Sequence, residues 1–269
     1  MSTRPLILIT NDDGIASLGL LAAARSVLDL GEIWVVAPRA QQSGVGRSFP
    51  AGATRAQVGL LKIDSEQVHS VAMDASPAKA VRHGVLRFLP RPPDLAIAGI
   101  NYGENLGGCI TVSGTIGAAI EAASFGIPSL AVSLETDPKY HFSISDEVDF
   151  GAAASCVRRL AMLVLSRGMP DCADILKLDI PRDATPDTPW RVTRVSRQQY
   201  FVSPVSVDES GRRRIQGYVK KIDLAALEPD SDVRAVAVDR VVSVTPLSVD
   251  LTAYAGLEPL QQMLSEPGR

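Results

Sequence analysis

The distribution of apolar residues predicts a repeated order of buried strand, polar loop and helix. Short, nearly continuous apolar runs are typical of strands buried on both faces of a parallel sheet. They recur through the first two thirds of the chain at Leu6–Thr10, Ile33–Ala37, Val68–Met73, Asp94–Gly99, Ser129–Ser133 and Ile175–Ile180. Between them, apolar residues return at helical spacing after capping residues such as Ser17 and Ser76. This alternation predicts an α/β fold with a mostly parallel sheet and helices on both faces.

The alternation stops at about residue 182. The following extended segments are Trp190–Val195, Tyr200–Val207, Arg212–Val219 and Val241–Thr245. We therefore predict a core over residues 1–182 and a smaller β-rich part over 183–269, which ends in a strand and a closing helix at Tyr254–Met263. The turn sequence from Asp208 to Gly211 predicts an extended hairpin at about 199–220. Since a projecting hairpin cannot bury both faces alone, we expect it to pack on another subunit.

Polar residues follow three of the predicted strands where each strand ends. The first loop begins with Asn11-Asp12-Asp13-Gly14, the second contains Ser43 and Gly44, and the third contains Asn101. In an open α/β sheet these strand ends are where ligands bind. Adjacent carboxylates repel each other unless they are solvated or neutralised, commonly by a divalent cation. Asn, Asp and Gly are also ordinary turn residues, so a plain polar turn is the alternative for the first loop.

A candidate phosphate site follows the third loop. Ser113-Gly114-Thr115 opens a helix rich in small residues, and the free N–H groups at a helix start bind anions. Ser113 and Thr115 are also good capping residues, which is the purely structural interpretation. Gly44 lets the backbone approach a ligand closely. We assign the candidate phosphate contacts to Asn11, Gly44, Ser113, Gly114 and Thr115.

Composition excludes several classes of partner. The 269 residues carry a net charge of -3, without the basic excess of a protein that binds polymeric nucleic acid. No apolar run approaches the roughly 20 residues of a membrane span, and no secretory leader is recognisable. The three cysteines are odd in number and widely spaced, as expected of free thiols in a reducing compartment. These features predict a cytoplasmic protein.

Several motifs together carry a family resemblance. The segments ITNDDGI, VVAPRAQQSGVGRS, DLAIAGINYGENLG, SGTIGAA and SVTPLSVDLT occur in that order across nearly the whole chain. In this respect the chain resembles the stationary-phase survival protein E (SurE) family, metal-dependent phosphatases that act on nucleoside monophosphates. The resemblance implies a Rossmann-like α/β domain and a C-terminal hairpin used to assemble a homodimer or homotetramer.

The resemblance also implies a set of site residues. The metal ligands would be Asp12, Asp13, Ser43 and Asn101, an all-oxygen set that suits Mg²⁺ or Mn²⁺. Asp12, Asp13 and Asn101 would then be catalytic. The cation would polarise the phosphoryl group and activate a water, while N–H groups near Ser113 to Thr115 would hold the phosphoryl oxygens. The expected reaction is hydrolysis of nucleoside 5′-monophosphates, with 3′-monophosphates as further candidates.

Departures from the family pattern keep an alternative open. Arg39 stands where the family usually has an acidic residue, Ala78 to Ala80 replace a Thr-Asp-Cys-like helix start, and Gly108-Cys109 stand where an acidic residue is common. The alternative is a non-catalytic nucleotide-binding regulatory protein, although such a protein would not need a complete set of metal ligands. A dinucleotide-dependent oxidoreductase is disfavoured because G-x-G-x-x-G is missing after the first strand. Tyr102 is a candidate for stacking on a base.

Overall fold

The computed structural model describes residues 4–142, 145–208 and 210–265. Within these ranges nine strands form one sheet, in the order β3-β4-β2-β1-β5-β6-β7-β13-β8. The strands of this sheet are β1 (Leu6–Thr10), β2 (Glu32–Pro38), β3 (Ala56–Ile63), β4 (Glu66–Met73), β5 (Leu95–Tyr102), β6 (Ser129–Leu134), β7 (Ile175–Ile180), β8 (Trp190–Val192) and β13 (Val242–Leu247). The four remaining strands are β9 (Phe201–Val202), β10 (Val205–Val207), β11 (Arg213–Ile215) and β12 (Val219–Lys220).

The middle of the sheet is parallel, as predicted. Strands β4, β2, β1, β5, β6 and β7 run in the same direction, while β3 and β13 pair antiparallel with the two edges of this block. Every residue of β1, β6 and β7 is buried; β1 and β6 are mostly apolar, as expected of strands covered on both faces, whereas β7 also buries the charged Lys177 and Asp179. The expected α/β class with a mostly parallel sheet is confirmed.

Helices cover both faces of the sheet. They are α1 (Leu18–Ser26), α2 (Pro77–His83), α3 (Gly114–Ala123), α4 (Gly151–Arg167) and α5 (Leu257–Ser265). Helices α1 and α4 pack with Ile7 and Ile9, whereas α2 and α3 pack with Leu8 on the other face. Alternate residues of β1 therefore support two separate cores, as the period of a strand requires. No helix in the described ranges combines the length and the apolar character that a membrane crossing needs.

The predicted capping residues begin three of these helices. The side chain of Ser17 accepts a hydrogen bond from the N–H of Leu20, and Ser113 accepts one from Ile116. Ser76 caps α2 in the same way, with Pro77 at the first helical position. Each cap satisfies an N–H that has no partner inside its helix. The caps fix where the chain turns from a strand-end loop into a helix.

The C-terminal segment contributes both to the main sheet and to the hairpin. Strand β13 lies antiparallel to β7, and β8 extends the sheet beyond it. Pro246 is expected to follow this strand but lies within β13. Strand β8 pairs only with residues 242–244 of β13, so one side of β13 has no partner strand at Pro246, and an edge position tolerates proline. The separation at residue 182 stays a prediction.

The hairpin differs from the two long arms predicted from sequence. It consists of two short ladders in series, β9 with β12 and β10 with β11. Pro204 lies between the two ladders and has no N–H to donate, which explains the interruption. The tip residue Glu209, part of the predicted turn, lies outside the described residues. The helix α5, at Leu257–Ser265, overlaps the segment for which a closing helix is predicted.

Candidate active site

Three strand-end loops meet around one cavity of about 360 Å³. The loops follow β1, β2 and β5, which are neighbours in the parallel block. From the predicted site set, the cavity is lined by Asp12, Ser43, Gly44, Asn101 and Ser113. Asp13 lines an adjoining cavity with Gln41 and Tyr102. The structure therefore brings residues up to about one hundred positions apart to one edge of the sheet.

Asp12 and Asp13 form a buried carboxylate pair, each only 5% exposed. The hydroxyl of Thr115 donates to Asp12 Oδ1 at 2.5 Å, and the side chain of Gln41 donates to Asp13 Oδ1 at 3.1 Å. The N–H of Tyr102 donates to Asp13 Oδ2 at 3.2 Å. These donors are neutral, so they orient the two carboxylates without cancelling their charge.

Burial governs the protonation of this pair. It raises the pKa of Asp12 to about 6, against the opposing effect of the hydrogen bond from Thr115. Burial, followed by the charge of Asp12, also raises the pKa of Asp13 well above its usual value. In the described part of the chain, neither carboxylate has an ion-pair partner. A bound cation would relieve this unfavourable burial of like charges.

The surrounding donors fit a hard divalent cation. Ser43 and Asn101 line the same cavity as Asp12 and add neutral oxygens. The amide nitrogen of Asn101 donates to the carbonyl of Gly103 at 2.6 Å, which leaves its Oδ1 as an acceptor for a cation. Across residues 4–142, 145–208 and 210–265, no group of three or more His, Cys, Asp or Glu side chains is placed to hold a metal. Two carboxylates with neutral oxygens suit Mg²⁺ or Mn²⁺ better than zinc.

Helix α3 begins directly beside the carboxylate pair. A Cβ added at Gly114 would lie 2.7 Å from Cβ of Asp12, so only glycine permits this approach. Ser113 both caps the helix and lines the cavity. Thr115, in contrast, is fully buried and its hydroxyl binds Asp12. Among the phosphate contacts predicted on this helix, Ser113 therefore lies in the cavity wall.

Asn11 has a local structural partner. Its side-chain oxygen accepts from the N–H of Gly14 at 3.2 Å, and its side-chain nitrogen donates to the carbonyl of Gly14 at 3.0 Å. Asn11 is fully buried, and these bonds close the turn that carries Asp12 and Asp13. The predicted phosphate contact of Asn11 stays a prediction; the geometry gives this residue a supporting role in the loop.

A further set of lining residues is aromatic and was missed from sequence. We call it the aromatic wall, and its members are His141, Phe142, Phe201 and Tyr218. The sequence offered no local signal for it, because Phe201 and Tyr218 belong to the hairpin that was assigned to assembly. Tyr102, the sequence candidate for base stacking, is 3% exposed, packs its ring edge-on to Phe150 and donates its hydroxyl to Ser145. Its ring therefore packs in the core with Phe150 rather than in the aromatic wall.

The departures from the family pattern have structural partners. Arg39 forms an ion pair with Asp74 at 2.9 Å, and Lys79 donates to the carbonyl groups of Pro50 and Gly52. Cys109 lines the cavity, and its Sγ accepts from the N–H of Phe201 at 3.4 Å. None of these four contacts involves the carboxylate pair.

Comparisons with known proteins agree on one family. The family model described as Survival protein SurE matches residues 7–202. The 5′-nucleotidase SurE of Thermococcus gammatolerans is 42% identical over 272 residues, covering 96% of this chain and 95% of the relative. The protein of the same name from Methanothrix thermoacetophila is 40% identical, covering 96% and 98% respectively. The crystal structure of the SurE protein from Aquifex aeolicus superposes with a TM-score of 0.77 at 31% identity and covers 97% of this chain and 100% of that one.

Proposed function

This chain belongs to the SurE family, and we propose that it is a metal-dependent phosphomonoesterase that hydrolyses nucleoside 5′-monophosphates to nucleoside and phosphate. The observation that carries the proposal is the buried pair Asp12 and Asp13. Asp12 lines the same cavity as Ser43 and Asn101, and Asp13 lines the adjoining cavity. Relatives that align over nearly the whole chain are named as 5′-nucleotidases. That naming gives no support to the alternative of a non-catalytic regulatory protein.

In the proposed reaction, Asp12, Asp13, Ser43 and Asn101 would hold a Mg²⁺ or Mn²⁺ ion. When bound, such an ion neutralises phosphoryl charge and lowers the pKa of water. Thr115 and Gln41 keep the two carboxylates in position through their hydrogen bonds. Both carboxylates are only 5% exposed, and this burial strengthens each electrostatic contact made there.

The start of α3 is assigned to the phosphate. The first turn of a helix has N–H groups without partners inside the helix, and the helix dipole favours an anion at this end. Ser113 lines the cavity, and so does Gly44 of the second loop. The N–H groups of Gly114 and Thr115 lie in the same turn and face the Asp12 carboxylate, so a phosphate held here would lie beside that carboxylate. These groups would hold the non-bridging oxygens in the transition state.

The test is phosphate release by the purified protein. The substrates are 5′-AMP, 3′-AMP and an aryl phosphate, each with Mg²⁺, with Mn²⁺ and with a chelator. We expect release from 5′-AMP that requires the metal and ends when the chelator is added. Absence of release with either metal, while 5′-AMP still binds, would contradict the proposal and favour the regulatory alternative.

Assembly and location complete the proposal. Three apolar residues of the hairpin, Val205, Val207 and Ile215, are largely exposed, which supports packing of this surface on a second copy in a homodimer or homotetramer. The three cysteines are free in this structure, which supports a reducing compartment such as the cytoplasm. The proposed partners are the nucleotide substrate and copies of the same chain, with no polymeric nucleic acid and no membrane.

A further inference from the structure

The aromatic wall adds ring surfaces to the oxygen-bearing side chains of the candidate active site. Its residues line the same cavity as Asp12, Asn101 and Ser113. Two of them, His141 and Phe142, lie in the segment after β6, whereas Phe201 and Tyr218 belong to the hairpin. A cavity that combines oxygen donors with aromatic rings suits a ligand with one charged end and one flat apolar part.

Tyr218 is the centre of the aromatic wall. Its ring centroid lies 5.1 Å from that of Phe201, 5.9 Å from that of His141 and 6.2 Å from that of Phe142. Its hydroxyl is 2.7 Å from Nδ1 of His141, and the two rings are nearly parallel, at 14°. The hydrogen bond fixes the orientation of the Tyr218 ring before any ligand arrives, so less entropy is lost on binding.

Two rings of the aromatic wall, those of Phe142 and Tyr218, lie outside the packed cores of the protein. Phe142 is 65% exposed, and Tyr218 is half-buried. Neither belongs to the three hydrophobic clusters formed by the described residues. An exposed ring and a half-buried ring that line one cavity outside the packed cores are features of a binding surface.

A single side chain ties the aromatic wall to the carboxylate pair. Nε2 of Gln41 donates both to Asp13 Oδ1 at 3.1 Å and to the backbone carbonyl of His141 at 2.6 Å. The amide group thus holds the loop of His141 at a fixed separation from Asp13. A ligand bound at both places must match that separation, which is how a rigid site selects a class of substrate.

We propose that the rings of Tyr218 and Phe142 form the platform on which the nucleobase of the substrate stacks. The inference rests on the proposed nucleotidase function and assigns to the hairpin a part of the site itself. Every base has a π-face, so a stacking platform accepts all bases and rejects phosphate esters without a base. Nδ1 of His141 is occupied by Tyr218, which removes one group that could read base edges. The platform therefore selects nucleotides as a class rather than one base.

Two substrates that differ by the base alone test the proposal: 5′-AMP and ribose 5-phosphate. Tyr218→Leu and Phe142→Ala are each expected to raise KM for 5′-AMP by about tenfold, the loss of one stacking contact, with little change in kcat. Kinetics on ribose 5-phosphate are expected to change little. Adenosine, which has the base without the phosphate, is expected to inhibit the wild type competitively and the Tyr218→Leu variant more weakly.

Two control variants complete the design. Tyr218→Phe keeps the ring but loses the hydrogen bond to His141, so its KM for 5′-AMP is expected to rise less than that of Tyr218→Leu. Tyr254→Leu removes an exposed tyrosine outside the cavity and is expected to behave as the wild type. Since Phe142 is largely exposed, its replacement leaves folding intact, and a thermal melt of each variant verifies this.

The outcomes separate this inference from the proposed function. If wild-type protein hydrolyses 5′-AMP and ribose 5-phosphate equally well, the platform is wrong although the phosphatase remains. Equal losses on both substrates in Tyr218→Leu and Phe142→Ala, or no loss on either, would also overturn it. If the wild type hydrolyses neither, the proposed function fails first and the platform with it.

Discussion

At the scale of single residues, the hydrogen bond between Thr115 and Asp12 best shows how much of the site depends on distant contacts. Thr115 appeared from sequence to be a cap or a phosphate contact, because it stands at a helix start. In the structure its hydroxyl donates to Asp12 Oδ1, 103 residues away. The pattern around Thr115 correctly predicted the helix and its Ser113 cap. It could not predict the acceptor, since local sequence does not determine how α3 packs against β1.

Replacing Thr115 tests this contact. Thr115→Val keeps the shape of the side chain but removes the donor to a buried carboxylate, whereas Thr115→Ser keeps the hydroxyl. We expect Thr115→Val to lower kcat/KM for 5′-AMP by roughly tenfold, the effect of one hydrogen bond to a charged group. Steady-state kinetics at saturating metal provide the measurement. Equal activity of the Val and Ser variants would show that the hydroxyl has no part in positioning Asp12.

At the scale of elements, the close approach of α3 to the second loop holds the site together. A Cβ added at Gly117 would lie 2.4 Å from the carbonyl oxygen of Gly46, so the helix touches the backbone of the loop that carries Ser43. The sequence predicted both the helix of small residues and the glycine-containing loop. Their contact could not be predicted, because glycine in a helix is also compatible with an exposed position. Packing, rather than propensity, explains this glycine.

Gly117→Ala separates these two effects. Alanine favours a helix by about 1 kcal/mol over glycine, but overpacking against backbone costs about 1–3 kcal/mol, so we expect a lower free energy of unfolding. We also expect activity to fall because the loop of Ser43 must move. Gly256→Ala is the matched control, since its Cβ would meet only Cβ of Ala253 at 4.0 Å. Urea unfolding measures the free energy of unfolding of both variants. A Gly117→Ala protein that is more stable than the wild type would contradict the packing argument.

At the scale of the whole molecule, a buried charge cluster joins the C-terminal segment to the parallel block. Lys177 and Asp179 of β7 form an ion pair, and Nζ of Lys177 lies 3.0 Å from Asp232 Oδ2. Asp232 also accepts from the N–H groups of Gly107 and Ser196. The sequence predicted β7 as a buried strand but gave no account of its two charges. Their partner follows more than fifty residues later, outside the reach of any local pattern.

This cluster makes stability depend on pH. One ammonium faces two carboxylates, and burial raises the pKa of Asp179 to about 6 from its usual 3.8, although Lys177 opposes the shift. A carboxyl with a raised folded-state pKa stabilises the protein fully below its unfolded pKa, and this contribution disappears as pH rises through about 6. We expect the wild type to gain about 1 kcal/mol of unfolding free energy from this group between pH 7.5 and pH 5.

Asp179→Asn isolates that contribution, because the amide cannot titrate. Urea unfolding at pH 5 and at pH 7.5 gives the change in stability for each protein. When the pH is lowered from 7.5 to 5, the unfolding free energy of the wild type is expected to rise more than that of the variant. An identical pH dependence for both proteins would mean that Asp179 does not take up a proton on folding in this range.

The hairpin provides the prediction about assembly. Val207 and Ile215 are 64% and 74% exposed, and we propose that a second copy covers this surface. Ile215→Lys would bury an unpaired charge at such an interface, so it is expected to shift the protein towards the monomer. Light scattering after size-exclusion chromatography measures the mass, with Leu251→Lys, at an exposed site outside the hairpin, as control. A monomeric wild type would contradict the proposed assembly.

The most direct test of the central claim is metal-dependent phosphate release from 5′-AMP by the Asp12→Asn variant. The amide keeps the shape of the side chain but removes the charge that we assign to the cation. Asp171→Asn, at an exposed loop position, is the matched control. We predict wild-type release in the control and loss of at least about a hundredfold in Asp12→Asn, as for other groups that act on the transition state. Undiminished release by a folded Asp12→Asn protein would contradict the assignment of the active site to this carboxylate pair.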